Sequence, residues 1–394
     1  MHITTFTAVS IGLLMTVGCA EHATSPVTTL TASVADKAPS TAFEVVDGST
    51  GPGSLYRLVR PANWNGILVV YAHGYTSPDA PIALPAEATL ITSLLTPQGF
   101  AVAYSSFSEN GWDVKDGAQR THQLLGIFAS NFGQPRHVYI GGASLGGLIA
   151  IKLTETYPRD YAGALAACAV AGGTRRLFEY HSNVRALFDF FYPGVLPGNA
   201  ATLPPGTDVT TGIVLPAIAA MTANPTPAGY MAAIDQTPLP FATPAQLVES
   251  IVTALVGNAT ELTDDLLTNG KPYFDNRSTV YSSALLPAPL LQAINAGIGR
   301  FDASPSAVAL LDHNYTPSGD LRIPMLMLSN ALDPVVPGFN QASYLAAVTA
   351  NGAANLLVQR QVPVFGHCVF TPAQLLTAFG DLVLWGELGI KPAP

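Results

Sequence analysis

The chain has 394 residues, enough to bury a large core, either as one domain carrying an insertion or as two domains. Charged residues make up only 11% and the formal net charge is −9. With no basic cluster, this excludes a nucleic-acid partner, whose phosphates need Lys and Arg to neutralise them. Low charge with abundant Gly and Pro suits an exported protein with a neutral surface.

The chain begins with a targeting pattern. Residues 6–17 are uncharged and largely apolar, too short to span a bilayer but long enough for the hydrophobic region of a signal peptide. The phrase Met15-Thr16-Val17-Gly18-Cys19 resembles a bacterial lipobox, in which Cys19 would be lipidated and anchor the chain to a membrane. Thr16 stands where leucine is usual, and the n-region has only His2 and no Lys or Arg. Cleavage of residues 1–20 after Ala20 is therefore the other reading. Under the first the chain is a lipoprotein of the bacterial outer membrane or periplasm, and under the second it is secreted. Residues 21–42, rich in Thr, Ser, Ala and Pro without periodicity, are expected to be a disordered tether.

Strands are predicted at 54–59 and 66–71, the second a continuous Ile67-Leu68-Val69-Val70-Tyr71 run of the doubly buried kind. Helix at 85–95, strand at 100–105 and helix at 113–132 follow. A strand at 136–140 then runs into Gly141-Gly142-Ala143-Ser144-Leu145-Gly146-Gly147, and a helix at 145–157 leaves it. Another strand is expected within 161–170. This alternation is that of an α/β chain with a mainly parallel sheet. From 174 to 321 the rhythm breaks into Pro-rich, helical sequence, read as an insertion between core segments 43–173 and 322–394. Its clearest helix starts at the capping phrase Thr243-Pro244-Ala245-Gln246. The rhythm resumes with strand 323–328, helix 340–350 and strand 356–362. A last helix opens at Thr371-Pro372-Ala373-Gln374.

Gly142-Ala143-Ser144-Leu145-Gly146 fits G-x-S-x-G in the strand–turn–helix setting that this nucleophile motif requires. A side chain at either flanking glycine would collide with the neighbouring strand or helix. A serine hydroxyl needs a base within reach and a carboxylate to orient that base. In an open parallel sheet such partners come from loops at the carboxyl ends of other strands. Two loops offer them: Asp333 in Asp333-Pro334-Val335-Val336-Pro337, and His367 in Gly366-His367-Cys368.

On these three phrases the sequence resembles the α/β-hydrolases, and in particular bacterial secreted or lipoprotein serine esterases and lipases. The order Ser144, Asp333, His367 is that family's order, and the likeness runs from about residue 55 to the C-terminus, with the insertion where many members carry a lid. The resemblance implies Ser144 as nucleophile, His367 as general base and acid, and Asp333 as its orienting carboxylate. Asp312 and Asp320 are the rival acids, but both precede the strand instead of following it. The oxyanion hole would use the amide of Leu145, at a helix start, and, by the resemblance, that of Tyr75 after His73-Gly74. His73 also has a competing catalytic reading. His122 and His137 read as structural or exposed, while His181 and His313 could touch substrate.

Cys168 and Cys368 both adjoin these phrases, so they read either as a disulfide tying the loops together or as two separate buried thiols. Substrate contacts are expected from Asn110 and Trp112 and from insertion aromatics including Phe190 and Phe191. The alternative for the aromatics is that they only pack the insertion's own core. No metal-ligand spacing, P-loop or dinucleotide fingerprint occurs, so no metal or cofactor is expected. The expected activity is hydrolysis of small-molecule or polymeric carboxylic esters with hydrophobic acyl or aryl groups. A serine peptidase of the same fold and a non-catalytic binding member are the rivals. The peptidase lacks a clear acidic pair for the peptide amine, and binding members usually lose the serine or the histidine.

Overall fold

The computed structural model describes residues 43–264 and 270–394, with residues 313–315 described in backbone only. The expected signal segment, Cys19 and the tether lie outside the described residues. Eight strands form one sheet: β1 (Phe43–Thr50), β2 (Ser54–Pro61), β3 (Ile67–Ala72), β4 (Ala101–Ser105), β5 (His137–Ala143), β6 (Gly163–Ala167), β7 (Met325–Leu332) and β8 (Leu357–Phe365). Their order is β1-β2-β4-β3-β5-β6-β7-β8. β1 and β2 join antiparallel, β2 pairs antiparallel with β4, and every pairing from β4 to β8 is parallel.

β3, β4 and β6 are buried along their whole length, which explains their unbroken apolar runs. The expected α/β architecture is present; β1 is an addition to it. Its sequence FEVVDGST is mostly exposed, so it shows no alternation and is held by pairing with β2 and by surface ion pairs such as Arg57–Asp47.

Two helical layers cover the sheet. On one face lie α1 (Glu87–Leu95) and the final helix α11 (Pro372–Leu388), which enclose a core of Val69, Tyr71, Leu165 and Phe379. On the other lie α2 (Val114–Phe132) and α3 (Leu145–Thr156), over Leu68, Val70 and Ile140. α3 buries nearly every residue of its first three turns, and α10 (Phe339–Ala350) joins β7 to β8.

Between β6 and β7 the described residues form no strand of the sheet. They include α4 (Thr174–Phe191), α5 (Leu215–Ala223), α6 (Thr226–Ala232), α7 (Pro244–Thr263), α8 (Ala288–Gly297) and α9 (Pro305–Tyr315). Both capping phrases start helices. Thr371 makes the full reciprocal box with Gln374. Thr243 accepts from the Gln246 amide, but the Gln246 side chain reaches back to the Ala242 amide instead.

The strand order reverses between β3 and β5, because β3 sends its crossover to β4 on one side while β5 leads away on the other. The carboxyl ends at such a switch point leave a crevice between diverging loops. The loops after β3 and β5 carry His73-Gly74-Tyr75 and Ser144.

Candidate active site

Ser144 sits at the β5–α3 junction with φ 57° and ψ −118°, a conformation that a non-glycine residue adopts only when its surroundings enforce it. The enforcement is visible. The Ser144 amide donates to the Ala167 carbonyl at 2.9 Å, and the Ser144 carbonyl accepts from Gly147 at 3.0 Å. A Cβ on Gly142 would lie 2.0 Å from the Gly146 oxygen, and one on Gly146 would lie 2.0 Å from the Ala72 oxygen. Both glycines are therefore required by close approach of backbone to backbone.

Asp333 follows β7 and is 1% exposed. Its Oδ1 accepts from the amides of Val335 and Val336, both at 2.9 Å, and its Oδ2 lies 2.7 Å from His367 Nδ1. A carboxylate can only accept, so Nδ1 carries the imidazole proton and Nε2 keeps its lone pair. The turn contacts and the contact to His367 thus fall on different oxygens of the one carboxylate. Asp312 instead pairs with Arg175 and Asp320 with Arg322, both at the surface.

Three restraints hold the His367 loop. Gly366 adopts φ 126° and its amide donates to the Leu332 carbonyl. Buried Asn330 clamps Val369 from both sides, donating to its carbonyl and accepting from its amide, each at 2.9 Å. Cys368 forms a disulfide with Cys168, with Cα atoms 5.3 Å apart and a sequence separation of 200. Both half-cystines have positive φ, so the bridge fixes two otherwise disfavoured backbones beside His367. Asn330 escaped the sequence reading. An Asn inside an apolar strand was the available signal, since a buried amide must find partners.

Replacing both cysteines by serine is expected to cost about 2–5 kcal/mol of stability, because the bridge closes a long loop in the unfolded chain. Thermal unfolding checks this, and a double variant with unaltered stability would contradict it.

Ser144, His367, Gly74 and Tyr75 line one cavity of about 480 Å³, within the range of small-molecule sites. Leu145 is the first residue of α3, so its amide has no acceptor within the helix. The Gly74 backbone lies over the elbow, with its Cβ position 3.6 Å from Ser144 Cβ. Burial and the nearby carboxylates of Asp264, Asp79 and Glu261 push the Tyr75 phenol up to about 12, so it stays neutral at ordinary pH.

His73 is not among the cavity-lining residues. Its Nδ1 donates to the Gly74 carbonyl at 2.7 Å and its ring stacks on Phe107 at 3.8 Å. Burial holds it below the usual histidine value, favouring a neutral ring that supports the Gly74 turn. His181 is buried against Glu261, 2.5 Å away, inside the insertion. The side chain of His313 lies outside what is described.

The ligating atoms of Cys168, Cys368 and His367 cluster within 4.8 Å. The two sulfurs are bonded to each other and so offer no thiolate, and this donor set does not fit a metal.

The expected substrate contacts lie elsewhere. Asn110 donates to the Ala80 carbonyl, and the Trp112 indole donates to Thr174 Oγ1. Phe190 and Phe191 pack edge to face, with Phe191 also near Tyr230. None of the four lines the cavity that holds Ser144. Trp112 instead docks the insertion on the core, its amide donating to Asp264 at 2.7 Å.

No family model matches the chain, and no curated protein does. Among solved structures, feruloyl esterase B from Aspergillus oryzae is similar at 16% identity and TM-score 0.48, over 92% of this chain and 86% of that one. An esterase from Pyrococcus furiosus is similar at 11% identity and TM-score 0.44, over 87% and 90%. A proline iminopeptidase from Mycobacterium smegmatis is similar at 12% identity and TM-score 0.45, over 87% and 99%. The chain's own strand order, its antiparallel β2 and the serine elbow after β5 are those of the α/β-hydrolase fold.

Proposed function

We propose that this chain is a serine carboxylesterase that hydrolyses hydrophobic esters through an acyl-enzyme. One observation carries the reading: Ser144 and His367 line the same cavity, while Asp333 orients His367 from behind. Ser144 Oγ attacks the ester carbonyl as its proton passes to His367 Nε2. The amides of Leu145 and Tyr75 stabilise the oxyanion. The ester C–O bond then breaks and His367 delivers the proton to the leaving alkoxide. Water, activated by the same imidazole, releases the acid and restores Ser144.

The cavity wall is mostly apolar, with Glu87 the one carboxylate on it, which supports hydrophobic acyl or aryl esters. The reading includes export, either with a lipidated Cys19 anchoring the chain to a bacterial membrane or after cleavage behind Ala20. The Cys168–Cys368 bridge supports an oxidising compartment.

A panel of p-nitrophenyl esters of rising acyl length, run beside an aminoacyl p-nitroanilide, tests the proposal. Turnover of esters with little or none of the anilide is expected. Faster anilide turnover would make the chain a peptidase, and inertness to all would make it a binding protein.

A further inference from the structure

The cavity does not stop at Ser144. From the elbow it runs back along the sheet face opposite α2 and α3, over Val69, Tyr71, Gly141 and Leu165, between α1 and α11. β5 pairs Tyr139 with Gly163 and, on its other side, with Val69. Val69 is therefore level with a point five residues before Ser144, or roughly 16 Å of strand.

Two features show that the space is built into the fold. Gly141, in the middle of a central strand, is only half-buried, and a Cβ there would meet nothing nearer than the Tyr71 ring, 4.0 Å away. Next to it, Gly142 has no room for a Cβ at all. The helices tell the same story. Ile91 and Leu94 of α1 and Leu375 and Leu376 of α11 line the channel and stay half-buried, although Ile91, Leu375 and Leu376 also touch the core on that face.

We infer that this channel, and not the helical insertion, holds the acyl chain, and that the substrates are esters of medium-length, unbranched fatty acids. The inference rests on the esterase reading and goes beyond it by naming the group bound and its location. The acyl group is bonded to Ser144 Oγ from the first step until water releases it in the second, so it needs a site continuous with the elbow. The alcohol must leave after the first step. An apolar space that extends from the elbow over Gly141 between two helices suits a long acyl chain, which can follow it along the sheet.

The test compares kcat/KM for p-nitrophenyl acetate, octanoate and benzoate, and for octyl acetate, in the wild-type chain and in Gly141→Leu, Leu94→Phe and Phe190→Ala. The octanoate-to-acetate ratio is expected to exceed 10 in the wild type and to fall at least tenfold in Gly141→Leu. Leu94→Phe, which narrows the same channel from α1, should lower the ratio if the strand variant folds poorly. Phe190→Ala should leave the ratio within twofold.

Unchanged ratios in both channel variants, or a shift confined to Phe190→Ala, would overturn the inference. Preference for octyl acetate would assign the channel to the alcohol, and preference for benzoate would replace the fatty chain by an aromatic acid; either outcome also overturns it. A wild-type chain that cleaves no ester defeats the esterase reading itself, a result distinct from an altered length profile.

Discussion

Ser144→Ala is expected to lower kcat for a p-nitrophenyl ester by on the order of 10⁶-fold, the scale at which loss of a nucleophilic serine is felt when serine, base and acid act as a unit. The fold should survive. The strain at this position lies in the backbone, at φ 57°, and is common to serine and alanine. The Ser144 amide and carbonyl hydrogen bonds that pin the elbow involve no side-chain atom. Circular dichroism and the unfolding midpoint should therefore match the parent while turnover disappears. Retained turnover at the parent rate would remove Ser144 from the mechanism.

Asp333→Asn should cost about 10⁴-fold in kcat, for a reason visible in its hydrogen bonds. An asparagine oxygen can still accept from Val335 and Val336, which anchor Oδ1. Its amide nitrogen would then face His367 Nδ1. To accept from that nitrogen, the imidazole must move its proton to Nε2, leaving no lone pair to take the Ser144 proton. Asp312→Asn is the control. Exposed Asp312 pairs with half-buried Arg175 near the surface, and such pairs contribute little, so its rate should stay within about twofold of the parent. Steady-state kinetics on the two variants decides between the acids, and the reverse pattern would move the orienting role to Asp312.

The elbow was legible because its demands are local. A continuous apolar strand, two glycines forced by backbone contact and an apolar helix follow one another without a break between His137 and Thr156. The Asp333 and His367 loops were legible for a related reason, since each follows an apolar strand whose carboxyl end must face the crevice. β1 was not, because an exposed edge strand carries no burial pattern. Asn330 was not, because its partner is the backbone of Val369, which no side-chain pattern announces.

The cavity was the largest miss. Aromatics such as Phe190 and Phe191 invite assignment to a pocket by chemistry alone, yet packing turns them toward one another. The cavity walls include Leu94, Leu375 and Leu376 of α1 and α11, which in sequence look like any other core positions. Their role comes from what is missing opposite them, the side chain at Gly141.

The most direct measurement is covalent trapping of the folded protein with a p-nitrophenyl alkylphosphonate, followed by intact mass and peptide mapping. One adduct per chain on the peptide containing Ser144, absent from Ser144→Ala, is the expected result. No adduct, or an adduct on another residue that persists in Ser144→Ala, would contradict the assignment of Ser144 as the nucleophile.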